Sequence, residues 1–159
     1  MKTFVQPTPA PKPKTEAVKQ ISLFYAAFLV VMIVAQLFTF EKFLELIIAF
    51  NLPVSVVTVA SLAPIIVTCE LFALPFLLRM TVSPAFRFVS MVLGWLVSLL
   101  WLGITIWLVT SGSTVATVGF LGTAINLIPG WWAVFISVLF GIMAVWASWG
   151  MWPLRKTKR

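Results

Sequence analysis

Apolar residues fill four long runs of this chain, at residues 21–40, 54–80, 86–110 and 131–152, and polar residues gather in the breaks between them. A helix needs about 20 residues to cross a hydrocarbon core of ~30 Å, so each run is long enough to span a bilayer. A fifth stretch, residues 41–52 (EKFLELIIAFNL), is too short to span and has two faces. Glu41, Lys42 and Glu45 fall on one side, and Phe43, Leu44, Ile47, Ile48 and Phe50 on the other. That pattern predicts a short helix lying in the interface or folded against the spans, ended by Pro53. The expected fold is an all-α membrane protein: a four-transmembrane-helix bundle with a short amphipathic helix between spans one and two.

Two tails flank the expected membrane domain of residues 21–152. Residues 1–20 (MKTFVQPTPAPKPKTEAVKQ) alternate prolines with other residues, which favours an extended, polyproline-like or disordered tether. A signal peptide is the rival reading of this region. The apolar run that follows is longer than a typical h-region and ends without a small-residue cleavage site, so it reads as a retained span. Residues 153–159 form a short basic tail.

Composition adds the solvent. With 62% hydrophobic and 9% charged residues and a mean hydropathy of +1.11, a soluble domain of this length could not hide its apolar surface. The net charge of +7 would suit a nucleic-acid partner, but the positions of the charges argue against one. Lysines precede span one, Arg79 and Arg87 bracket the turn between spans two and three, and basic residues follow span four. All of these fall on one side, and the positive-inside rule places both termini in the cytoplasm of a prokaryotic cell membrane. Arg79 and Arg87 read as anchors that snorkel to the headgroups, with an anionic-lipid site as the sharper alternative.

Chemically active side chains are scarce. Histidine and aspartate are absent, so metal sites and His-based catalysis have almost no material, and no catalytic residue, metal or cofactor is expected. Cys69, the only cysteine, reads as a small buried hydrophobe rather than a reactive thiol. The unusual residue is Glu70, set in an apolar run between Pro64 and Pro75. Acids inside a membrane are costly, usually face a bundle interior and have a partner. Two readings stand: a functional one, handling protons or holding a quinone or lipid headgroup, and a structural one, hydrogen-bonded to Gln36, Ser90, Ser98 or Thr105. Small residues recur at every fourth position in Ser90, Gly94 and Ser98, and in Ala133, Ser137 and Gly141, so spans three and four are expected to pack along these stripes. Trp95, Trp101 and Trp107 advance by six and so point three ways, towards lipid and neighbouring helices.

The connection at residues 111–130 carries no charge and takes its turns from Gly119, Gly122 and Pro129-Gly130. Four spans, an amphipathic segment after the first, a glutamate in the second and this Gly-containing loop resemble DoxX-like membrane proteins, in particular the MauE-type redox-associated branch. That branch typically carries Cys-Gly-Cys-Phe-Gly in this loop. The matching stretch is Val118-Gly119-Phe120-Leu121-Gly122, with both glycines kept and no cysteine. A dithiol relay needs two sulfurs in reach of each other, and the loop has none. The resemblance implies the four-helix fold and association with a respiratory or redox partner, with Glu70 at the family's acidic position in span two. The expected role is a non-catalytic or accessory subunit, whose partners are the lipid bilayer and another membrane protein or a second copy. Alternatives are a quinone- or lipid-handling redox component acting through Glu70, or a small proton-coupled transporter.

Overall fold

The computed structural model describes residues 6–53 and 55–153. Five helices follow one another: α1 (Glu16–Phe38), α2 (Phe40–Ala49), α3 (Val56–Leu77), α4 (Pro84–Thr110) and α5 (Trp131–Gly150). All but α2 are long and apolar enough to cross a membrane. They form a ring in which α1 packs on α3 and α5, and α4 packs on α3 and α5, while α2 folds against α3. The described residues contain no strand, only an isolated bridge between Thr8 and Val82. The expected four-helix bundle with its short amphipathic helix is therefore the observed architecture.

Local signals set the helix ends. Thr15 accepts from the Val18 amide, Ser55 from the Thr58 amide, and Ser83 from the Phe86 amide with Pro84 in the first turn. The Thr15 cap and Glu16 start α1 ahead of its apolar run, inside the segment expected as a tether. At the other end of α3, the amide of Arg79 bonds to the Phe76 carbonyl and that of Met80 to the Pro75 carbonyl, closing a Schellman turn with Arg79 left-handed at φ 56°. Asn51 takes the same conformation after α2, where its short polar side chain tolerates it.

Pro75 removes an amide from the α3 ladder. Ser90 on α4 repairs that turn: its Oγ donates to the Phe72 carbonyl (2.6 Å) and accepts from the Phe76 amide (3.0 Å). One turn further along α4, Gly94 lies against Ala73, where a Cβ would meet the alanine's at 3.7 Å. The stripe of small residues on α4 thus faces α3, not α5 as expected. Ser98, at its far end, turns to α1 and meets the Tyr25 hydroxyl at 3.1 Å. The α4–α5 pair does form, and Ser137 of the expected α5 stripe takes part: it meets Thr105 (3.2 Å), while the Trp95 indole donates to the Ala144 carbonyl (3.3 Å). Ala133 is buried, whereas Gly141 has nothing within 4 Å of where a Cβ would stand.

The leader is also more engaged than a solvated tether. The Thr8 amide donates to the Val82 carbonyl (3.2 Å) and the Lys14 amide to the Gly150 carbonyl (3.2 Å), so the segment crosses the end of the bundle from the α3–α4 turn to the end of α5. Arg87 holds it. This side chain is buried, and its Nη2 donates to the carbonyls of Thr8 (2.7 Å) and Val82 (3.1 Å). Burial corrects the expectation that Arg87 snorkels to lipid: two backbone carbonyls replace the headgroups as its partners. The stretches 1–5 and 154–159, including most of the C-terminal tail, lie outside the described residues.

Candidate functional site

The site builds from Glu70, which faces the interior of the ring and is fully buried. Its Oε1 accepts two N–H donors, the Trp101 indole at 3.0 Å and the Gln36 amide at 3.3 Å. Gln36 uses its other amide hydrogen on the Phe120 carbonyl at 3.0 Å. Three helices and a loop therefore meet at one carboxyl group: α3 through Glu70, α1 through Gln36, α4 through Trp101, and the α4–α5 connection through the backbone of Phe120. Glu70 Oε2 and Gln36 Oε1 are buried without a hydrogen-bond partner among the described residues.

Of the partners expected for Glu70, Gln36 is brought to it. Ser90 serves the Pro75 turn, Ser98 meets Tyr25, and Thr105 meets Ser137. Cys69 is buried and is a free thiol. Arg79 follows α3 and Arg87 lies in the first turn of α4, outside this cluster.

The loop closes over the cluster. Val118 and Phe120, at the positions where the resemblance would have cysteines, are both buried. The Phe120 ring lies 4.8 Å from that of Trp101 and 5.8 Å from that of Phe140, so it plugs the interior with aromatic surface. Phe140 in turn contacts Phe28 and Tyr25 on α1 (5.0 and 5.9 Å), linking α5 into the same core. The two glycines explain how the loop comes so close. Gly119, at φ 91°, packs on Leu46, Phe43 and Phe50 around α2, and Gly122, at φ 57°, lies on the last turn of α1. A Cβ on Gly122 would overlap Thr39 Oγ1 and stand 3.1 Å from the Ala35 carbonyl. Only glycine fits both the conformation and the space.

Comparison with protein-family models, with curated proteins and with solved structures finds no match. The site thus rests on its own geometry.

Three residues central to that geometry are not expected in the site from the sequence: Trp101, which reads only as pointing towards lipid or a neighbouring helix, and Thr117 and Thr39, for which no role is expected. Trp101 donates to Glu70. Thr117 accepts from the Gly119 and Leu127 amides (3.3 and 3.2 Å) and donates to the Ile125 carbonyl (3.1 Å), folding the loop on itself. Thr39 accepts from the Thr123 amide (3.1 Å), pinning the loop to the end of α1. Among the described residues, no three His, Cys, Asp or Glu side chains gather into a group that could hold a metal. The arrangement can join helices through shared hydrogen bonds, and its one ionisable group, Glu70, is enclosed by α1, α3, α4 and the loop.

Proposed function

We propose that this chain is a non-catalytic integral membrane subunit, of DoxX- and MauE-like kind, whose polar cluster fastens the bundle so that its outer faces meet lipid and a membrane partner. The observation that carries this reading is the convergence of Gln36, Trp101 and the Phe120 carbonyl around Glu70, which spends the intramembrane polar groups on one another and on backbone. An aromatic plug stands where a dithiol relay would need sulfur, which supports a structural over a thiol-redox role. In this reading both termini are cytoplasmic and α2 with the α4–α5 loop lies on the opposite side, following the charge distribution.

Affinity purification of the tagged chain from membranes in mild detergent tests the proposal. A stoichiometric membrane-protein partner is expected. A monodisperse lone protomer would count against it.

One observation favours a second reading. Glu70 Oε2 and Gln36 Oε1 are buried acceptor atoms without a partner among the described residues, a feature that suits a carboxyl group taking up a proton or a ligand hydroxyl. Under that reading, Glu70→Gln keeps fold and assembly but abolishes a pH-dependent quinone affinity. Quinone titrations that are flat for the native chain would remove it.

A further inference from the structure

On the outside of the ring, α4 and α5 leave a groove of about 630 Å³. Its walls are Leu99 and Leu102 of α4 and Val138, Ile142 and Val145 of α5, with Gly141 leaving its middle open. The α5 lining runs from Ser137 to Trp149, about 18 Å at ~1.5 Å per residue, close to half of a ~30 Å hydrocarbon core. Along α5 the groove thus extends over a length close to one leaflet and reaches the end of the bundle that carries the leader, with α4 walling its inner part between Ser98 and Leu102. At that end stands a cation: the Lys14 ammonium lies 4.0 Å from the centroid of the Trp149 ring, and Trp149 lines the groove. Lys14 is held there by its own amide, which donates to the Gly150 carbonyl at 3.2 Å.

An apolar channel one leaflet long, ending in a fixed positive charge at the interface, matches an acyl chain attached to an anionic headgroup. We infer that the α4–α5 groove is a binding site for an anionic membrane lipid, with one acyl chain along Gly141 and the phosphate at Lys14. Stacking on Trp149 orients the ammonium while leaving its N–H groups free to donate to phosphate oxygens. A partner helix would need a track across the whole bilayer, which this groove does not provide. A second copy in the same membrane orientation would bring together two basic tail ends of a chain whose net charge is +7.

Native mass spectrometry of the full chain, released from detergent with dioleoyl phosphatidylglycerol or dioleoyl phosphatidylcholine, tests this. The native chain should retain the phosphatidylglycerol about five-fold more strongly, the effect of one lysine at an anionic interface. Lys14→Gln, an exposed change, should reduce that preference to none while leaving phosphatidylcholine retention as it was. Gly141→Leu should lower retention of both lipids, since its side chain enters open space and fills the groove without disturbing the bundle. Equal retention of the two lipids by the native chain would overturn the headgroup assignment. Unchanged retention in Gly141→Leu would overturn the groove as the site. A dimer that Gly141→Leu splits into protomers, with lipid retention unaffected, would assign the groove to a second copy instead.

Discussion

A carboxyl group buried in hydrocarbon keeps its place through its hydrogen bonds, and at Glu70 these converge on one oxygen. Replacing it by leucine strands the Trp101 indole N–H and one Gln36 hydrogen in the core, and a buried donor left unsatisfied costs about 1–3 kcal/mol. Glutamine keeps an acceptor for both donors, so Glu70→Gln should cost less, about the 0.6 kcal/mol average of membrane-buried polar contacts. A cycle separates the causes. In a Trp101→Phe background one stranded donor is already gone, so Glu70→Leu should be less damaging there than in the native chain. Unfolding titrations with sodium dodecyl sulfate in mixed micelles measure all four variants. Equal losses for the leucine and glutamine changes would mean that these bonds carry no weight. The same scale sets the outcome at Gly122, where alanine must adopt a positive φ and push on Thr39 and the Ala35 carbonyl. Gly122→Ala should lift the loop, withdraw Phe120 from Trp101 and cost about 1–3 kcal/mol in the same titration. A Gly122→Ala protein as stable as the native chain would show that the loop can shift without cost.

At the scale of elements, the α3–α4 seam depends on a repair that neither helix makes alone. Ser90→Ala would remove the hydroxyl that bridges the Phe72 carbonyl and the Phe76 amide beside Pro75, and losing these two bonds across the seam should cost about 1–3 kcal/mol. Gly94→Leu should cost a similar 1–3 kcal/mol, roughly, by wedging α4 away from Ala73. Gly141→Leu should stay within about 0.5 kcal/mol of the native chain, because the new side chain meets open space. Equal losses for the two leucine variants would restore the α4–α5 stripe as the packing seam. These residues also mark what the sequence does and does not reveal. Long apolar runs identify the four spans, and the two-faced pattern of residues 41–52 identifies α2, because solvent preference alone decides both. Which neighbour a stripe faces depends on the order of helices around the ring, and periodicity along a single helix carries no such information. Trp101 is hidden for the same reason. Trp95, Trp101 and Trp107 do point three ways, and the indoles reach Ala144, Glu70 and Phe50, but only the assembled ring shows that the middle one meets the acid. Glu70 and Gln36 were legible because polar groups are rare in such runs. The plug was not, since Phe120 is one apolar residue among many until the loop folds over the bundle.

At the scale of the whole molecule, charge separates the two ends of the ring. Lys12, Lys14, Lys19, Arg79 and Arg87 belong to the end where α1 and α4 begin and α3 and α5 finish, whereas Glu41, Lys42 and Glu45 belong to α2 at the other. Moving several cations across a bilayer is costly at each position, so under the proposed topology the end with the cations is expected to stay in the cytoplasm. The structure also decides where this can be tested. Thr117 is buried within the loop and would label poorly from either side, whereas Ala116 beside it is exposed, as is Lys12 in the leader. With Cys69 replaced by alanine, single cysteines at positions 116 and 12 should react with a membrane-impermeant maleimide in opposite preparations. Position 116 should label in intact cells stripped of any outer barrier, and position 12 only in inverted membrane vesicles. Because α2 and the loop pack on each other through Gly119, Leu46, Phe43 and Phe50, a cysteine at the exposed Lys42 should behave like position 116. Labelling of positions 116 and 42 in inverted vesicles, with position 12 reactive in intact cells, would reverse the orientation of the whole bundle and place the Lys14 end of the α4–α5 groove in the outer leaflet.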